Sequence, residues 1–203
     1  MLENTLHVVL YQFNFEMQFL LDEFMQGKIE FKILIEECNL IDIEFSPTDK
    51  IYAYKKFLEF LRENKHRIKL HAGLIPAVYV QDAIERGRHA LHAVRRRDYI
   101  KKDEDCDGTE EQYSAFASYI TDQPFENDPK KNPPVDSHRK SFAAKVIRDC
   151  SIAHKVNRIL DPEDTGIRPS DSVMVICAFE HLAFGFGIPE RIQDHDITKA
   201  FRD

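Results

Sequence analysis

The stretch that decides the fold is residues 171–192, DSVMVICAFEHLAFGFGIPERI. It begins with a short apolar run, Val173 to Cys177, rich in β-branched residues. Such a run between turn signals predicts a buried strand. His181 follows four residues later, and a turn rich in glycine and proline comes next. Open α/β sheets place their binding sites at the carboxyl ends of strands. The stretch therefore indicates either a site built on His181 or a buried strand with a structural histidine at its edge.

Outward from this stretch, the chain alternates strand patterns with helix patterns. Residues 6–11 (LHVVLY) and 67–72 (RIKLHA) read as strands. Helical apolar spacing covers six further segments, at about 13–27, 30–43, 47–61, 76–87, 113–120 and 139–160. This order predicts an α/β fold with a mostly parallel sheet flanked by helices.

The middle of the chain interrupts that alternation. Residues 101–108 are charged and lack an apolar period, and residues 122–137 carry four prolines. Residues 88–137 are therefore expected to form a helical insertion, or cap, within a single domain of residues 1–203.

Composition excludes several classes of protein. The chain of 203 residues has a net charge of −7, which argues against nucleic acid as a partner. Its four cysteines include no C-x-x-C pair, so free thiols are expected. The chain has neither an 18-residue apolar run nor a signal-peptide pattern. No transmembrane segment is expected, and a cytoplasmic location is the default.

Two metal-like patterns carry little weight. Residues 103–108 (DEDCDG) match the first half of a calcium-binding EF-hand loop, but its twelfth position, normally a bidentate glutamate, is Ser114. Calcium binding is not expected. His89 and His92 share a helix face, but the sequence places no acidic third ligand beside them.

Three blocks of the sequence resemble the ChaN-like family of haem-binding uptake proteins in the Tiki superfamily. Residues 18–29 resemble the family's Q-x-x-L-D-x-y-x-x-G-x-i, and residues 75–87 resemble its strand-end proline and following helix. The specific block is KVIRDCSIA at 145–153 followed by MVICAFEHLAFGFGIPERI at 174–192. The family-motif positions are Gln18, Asp22, Pro76, Gly87, Gly185, Gly187 and Pro189.

The chain departs from the family pattern at three points. The family begins with a strand carrying G-E-x-x-H, whereas residues 1–5 alone precede the first strand here, so we expect an N-terminally incomplete domain with an open sheet position. Ala178 replaces the glycine of G-x-x-H, which ends at His181. Tyr11 stands where the family usually has an acidic residue.

The resemblance implies binding of haem or another small iron compound, often with homodimerisation. Candidate iron ligands are His181 and Tyr11, and Arg148 and Arg191 are candidates for the haem propionates. His181 is also the candidate metal ligand.

Two alternatives remain open from the sequence. One is a metal-dependent hydrolase of the Tiki type, built on His181, Glu180 and Asp149. Loss of the G-E-x-x-H element weighs against it and favours a non-catalytic or degenerate member. The other alternative is an interaction module that keeps only the fold.

Overall fold

The computed structural model describes residues 4–38, 49–86, 99–100, 106, 108–121, 136–161, 163, 171–182 and 187–192. These residues form three strands and six α-helices. The chain divides into two compact units. The first comprises Met1–Leu74 and Arg158–Ile176, and the second comprises Ile75–Asn157 and Cys177–Asp203.

The first unit is built on a parallel three-stranded sheet. Its strands are β1 (Leu6–Asn14), β2 (Ile68–Leu74) and β3 (Ser172–Ile176), in the order β2-β1-β3. Both neighbours run parallel to β1. Consecutive side chains of the central strand, Val8, Val9 and Leu10, are all fully buried, so both faces of β1 are covered. The predicted α/β fold with a mostly parallel sheet is confirmed.

Three helices cover one face of this sheet: α1 (Gln18–Gln26), α2 (Phe31–Glu37) and α3 (Asp49–Glu63). Helix α1 ends where predicted, at Gly27, which has a left-handed φ of 77°. The shared core is apolar, and its fully buried members are Val8, Leu10, Phe13, Leu21, Phe24, Leu34, Leu58 and Ala72.

Two predictions about these elements were wrong in detail. Phe13, assigned by its spacing to the first helix, lies in β1, because pairing with β2 extends that strand to Asn14. β3 was predicted to be buried, but Met174 is 45% exposed. Within the described residues β3 pairs with β1 alone, and an edge strand of this kind has fewer neighbours to bury its side chains.

The second unit is helical in its described part. It holds α4 (Ala77–Arg86), α5 (Glu110–Thr121) and α6 (Asp136–Leu160) up to Asn157. Phe142 of α6 packs its ring against Tyr113 and Phe116 of α5, with ring centroids 5.7 and 5.6 Å away. A bidentate pair from Arg139 to Glu110, at 2.9 and 3.1 Å, joins the same two helices. Helix α5 lies inside the predicted insertion at 88–137; the single-domain assignment stays a prediction.

Several sequence features fall outside the described residues. These are His89, His92, Gly87, Gly185 and the three aspartates of the calcium-like segment. A helix follows the calcium-like segment, since α5 begins at Glu110. Ser114, at the twelfth position of the EF-hand pattern, lies in this helix, and its Oγ donates a hydrogen bond to the Glu110 carbonyl. The four cysteines are free thiols, as expected. None of the described helices is both long enough and apolar enough to cross a bilayer.

Gln18 holds the edge of β2 with its side chain. Its Nε2 donates to the Leu70 carbonyl at 3.0 Å, and its Oε1 accepts from the Ala72 N–H at 2.8 Å. The primary amide thus pairs with β2 as the backbone of another strand residue would. Gln18 Nε2 also donates to Asp22 Oδ1, one helical turn later, at 2.9 Å. This family-motif position therefore joins the start of α1 to the sheet.

Replacing Gln18 with alanine should destabilise the protein, because two backbone groups of a half-buried strand lose their partner. We expect a loss of about 1–3 kcal/mol in the free energy of unfolding, measured by urea denaturation. Gln81→Ala is the matched control, since the Gln81 side chain donates to the exposed Glu85 side chain one turn later in α4. Equal effects of the two substitutions would contradict the role assigned to Gln18.

A histidine pair joins β1 to β2. His7 Nδ1 and His71 Nε2 lie 3.0 Å apart. The two rings are stacked, with an angle of 10° between their planes. Burial lowers the pKa of His7, and the charge of Lys69 lowers it further, against an opposing effect of Asp171. His7 is thus more readily protonated in the unfolded chain than in the folded one.

This shift predicts acid sensitivity. The unfolded chain takes up a proton at His7 near its ordinary pKa of about 6.5, while the folded chain resists it, so stability falls as the pH drops through that value. Urea midpoints between pH 7.5 and 5 should decline in the wild type and decline less in His7→Phe. His66→Gln, at an exposed position, should keep the wild-type slope. An unchanged slope in His7→Phe would contradict the prediction.

Candidate functional site

The candidate site lies in the second unit, in the chain segment that follows β3. Here the chain forms a short 3-10 turn, Phe179–His181, in which the His181 N–H donates to the Ala178 carbonyl at 3.1 Å. The turn directs the His181 side chain inward, where it is 1% exposed. The sequence singled out His181, and the structure places it in a buried polar cluster.

Asp149 of α6 is the centre of that cluster. One carboxylate oxygen, Oδ1, lies 2.5 Å from His181 Nδ1, and the other, Oδ2, accepts from Lys145 Nζ at 2.5 Å. Lys145 and Asp149 are four residues apart, so they occupy the same face of the helix. Asp149 is fully buried and Lys145 is 3% exposed. Asp149 is therefore paired with a buried cation.

Sequence reasoning missed Lys145. Its signal was present, because a lysine four residues before an aspartate on a predicted helix is a recognised pairing pattern. Lys145 also opens the specific block KVIRDCSIA. The apolar spacing of residues 139–160, however, gave no reason to expect a buried lysine, since buried lysines are rare unless they are paired.

The geometry fixes the direction of the His181 ring. A carboxylate oxygen can only accept, so the hydrogen on Nδ1 is donated to Asp149. The other ring nitrogen, Nε2, points away from Asp149 and lies 3.9 Å from Glu180 Oε1. The Glu180 side chain is 39% exposed, so it lies at the boundary between His181 and solvent.

Cys177 lies between β3 and this turn and is half-buried. Burial raises the pKa of its thiol to about 12, and the negative charges of Asp149 and Glu180 act in the same direction, against Lys145. The thiol is therefore protonated at neutral pH. A metal ligand of the thiolate type is not available at this position without a large energetic cost.

The segment 187–192 holds the His181 backbone. The Ile188 N–H donates to the His181 carbonyl at 2.9 Å, and the Gly187 N–H donates to Glu190 Oε2 at 2.7 Å. A β-carbon on Gly187 would clash with the His181 carbonyl oxygen, so only glycine fits there. Pro189 is the first residue of the 3-10 turn Pro189–Arg191. Proline suits this position because the first N–H of such a turn has no partner within the turn.

The other predicted residues are distributed over both units. Arg148 and Arg191 belong to the second unit with His181 and are half-buried. Asn157 of α6 donates to the Arg191 carbonyl at 3.1 Å, which fixes the backbone at that residue. Tyr11 is half-buried in β1 and belongs to the first unit. Within the second unit the structure thus brings His181, Asp149 and Glu180 together.

The described residues contain no group of three or more histidine, cysteine or acidic side chains arranged to hold a metal ion. The described cluster instead pairs one buried histidine, His181, with a hydrogen-bonded carboxylate, Asp149.

Comparison with family models gives a match over residues 2–192, to the family described as haem-binding uptake, Tiki superfamily, ChaN. The chain belongs to the ChaN family. Among solved structures, it matches "Cofacial heme binding to ChaN of Campylobacter jejuni" with a TM-score of 0.53 and 16% sequence identity. The match covers 94% of this chain and 63% of that one, so this ChaN-family chain spans under two thirds of the neighbour's length. Comparison with curated proteins gives no match.

The fit of Gly187 against His181 predicts a strong effect of a small substitution in this ChaN-family chain. Gly187→Ala places a methyl group against backbone, which cannot move aside as a flexible side chain can, and we expect a loss of about 1–3 kcal/mol in stability. Gly27→Ala is a useful comparison, because that glycine has a positive φ but open space around its β-carbon. Thermal and urea unfolding measure both. Unchanged stability in Gly187→Ala would contradict the close approach.

Proposed function

We propose that this chain binds haem and that His181 is the residue that would hold the iron, through Nε2. The observation that carries the proposal is the 2.5 Å contact between His181 Nδ1 and Asp149 Oδ1. Histidines that ligate metals usually donate their other ring N–H to a carboxylate or carbonyl, which fixes the tautomer and strengthens the donor nitrogen. Membership of a family described as haem-binding uptake supports the same proposal.

The donor groups of the candidate residues are of the types that bind haem. A neutral imidazole is one of the common protein ligands of haem iron, and guanidinium groups bind carboxylates such as the propionates. Arg148 and Arg191 are the candidates for the propionates, and Arg148 Nε is buried without a hydrogen-bond partner among the described residues. When bound, haem would supply a redox-active iron; the chain supplies the ligand, its orientation and the pairing of the propionates.

Access to His181 sets a condition on binding. Because the side chain is 1% exposed, haem binding would require the groups that cover Nε2 to move, and Glu180 Oε1 lies 3.9 Å from that atom. Such an opening would lower the apparent affinity by the fraction of molecules that are open.

Haem titration tests the proposal. The wild-type chain should give a saturable Soret band, and His181→Ala should weaken binding at least tenfold or replace the histidine-ligated spectrum. His66→Ala, an exposed histidine of the first unit, is the matched control and should titrate like the wild type.

Tyr11→Phe separates the two candidate ligands. Loss of the band in Tyr11→Phe, with His181→Ala unchanged, would assign the iron to Tyr11 and contradict the role of His181. Absence of a saturable band in the folded wild type would contradict haem binding itself. Light scattering on the same samples tests the homodimerisation that the family resemblance implies, since a dimer would have twice the mass of the 23.8 kDa chain.

The hydrolase alternative gains no support from the site. A metal-dependent hydrolase needs several protein ligands around its ion, and the described residues provide no such group beside His181. Haem binding, non-catalytic in itself, is the function that the described geometry supports best.

A further inference from the structure

The two outer strands of the parallel sheet differ in how their backbone groups are satisfied. On β2, the N–H and C=O groups that face away from β1 include those of Leu70 and Ala72, and the Gln18 side chain bonds to both residues. Side-chain capping of this kind closes the β2 edge to a further strand. Within the described residues, no comparable contact is made to the outer edge of β3.

The register of β3 shows which of its backbone groups form that outer edge. The Ser172 N–H donates to the Thr5 carbonyl at 3.1 Å, and β3 then continues parallel to β1. Because successive peptide groups of a strand point to opposite sides, alternate residues from Ser172 onward bond to β1. Val173 and Val175 therefore turn their N–H and C=O groups outward, where they have no hydrogen-bond partner in the described part of the chain.

β3 has none of the features that usually protect an exposed edge strand. Such strands are blunted by lysine, proline, a bulge or a charge. The sequence of β3, SVMVI, is uncharged and contains no proline, and its pairing with β1 shows no register shift. None of its residues is buried, and Met174 is 45% exposed, whereas Val8, Val9 and Leu10 of the adjacent strand are 0% exposed. β3 is therefore an apolar strand that can accept another strand at its outer edge.

This edge is complementary to itself. When the β3 strands of two copies lie antiparallel about a two-fold axis at Met174, the midpoint of the strand, they overlap along their full length. Val173 of one copy then lies opposite Val175 of the other, and their outward groups exchange both N–H···O=C bonds of an antiparallel pair. The axis repeats the exchange on its other side. Met174 lies opposite the same residue of the second copy, and no like charges face each other along the strand.

We propose that the outer edge of β3 is a homodimer interface, at which the sheets of two copies join through antiparallel β3 strands. A second copy is the occupant because the outward backbone groups and the uncharged side chains repeat symmetrically about Met174. One short strand from each copy makes a small contact, so the dimer dissociates on dilution. This inference goes beyond haem binding and does not depend on it.

Sedimentation velocity of the haem-free chain at increasing concentrations measures the association. The wild type should shift from 23.8 kDa toward twice that mass as the concentration rises. Met174→Lys places two positive charges opposite each other at the axis and should weaken the dimer about tenfold or more. Phe60→Lys, which changes an apolar side chain of α3 that is 56% exposed, is the matched control and should dimerise like the wild type.

Charge reversal at the same position tests the two-fold axis. Met174→Glu alone should weaken the dimer as Met174→Lys does, because two negative charges then face each other. An equimolar mixture of the two variants should form a heterodimer, since opposite charges meet at the axis. A dimer that survives in either variant alone, or a mixture that stays monomeric, would overturn the proposed interface.

Amide hydrogen exchange provides a test that needs no substitution. In the wild type, the Val173 and Val175 amides should exchange slowly at high concentration and faster on dilution, while the Met174 amide, bonded to β1, stays slow at both. Slow exchange of the two valine amides in a monomeric chain would mean that another segment covers the edge, and it would overturn the proposal. A chain that is monomeric with fast exchange at every concentration would do the same. Neither outcome affects the haem titration of His181→Ala, so the two proposals fail separately.

Discussion

A buried carboxylate constrains the second unit of this protein. Asp149 is fully buried, and an isolated charge in that position would be prohibitively costly. The chain meets this cost by using both carboxylate oxygens, one for Lys145 from the preceding turn of α6 and one for His181 from the turn after β3. Removing either partner would leave part of the charge uncompensated, so the positions of α6 and of the His181 turn depend on each other.

The first unit satisfies its polar groups in a different way. Its central strand β1 is covered on both faces and paired on both sides, so the sheet carries its own backbone hydrogen bonds. At the outer side of β2, the side chain of Gln18 takes the place of a strand residue. The two units thus use short polar side chains from family-motif segments, Gln18 in one and Asp149 in the other, to fix where a helix meets a neighbouring element.

The family of this chain and its candidate site rest on separate observations. A fold shared with a ChaN structure at 16% identity shows the architecture, while the arrangement of His181 and Asp149 is a property of this chain itself. The departure at Ala178, where the family motif has glycine, leaves the 3-10 turn intact, since the Ala178 carbonyl accepts the His181 N–H. The turn tolerates alanine there because this backbone hydrogen bond does not depend on the side chain at position 178.

The sequence alone determined the α/β class, the end of α1 at Gly27, and the choice of His181 and Asp149 as candidate site residues. These follow from local signals: apolar periodicity, a glycine at a helix end and a polar residue after a strand. Tertiary structure decided what periodicity does not encode. It extended β1 through Phe13 by pairing with β2, left Met174 half-exposed on an edge strand, and placed Lys145 in the interior. Burial and long-range pairing depend on elements far apart in the chain, here α6 and the turn 32 residues beyond Asp149, and no local pattern specifies them.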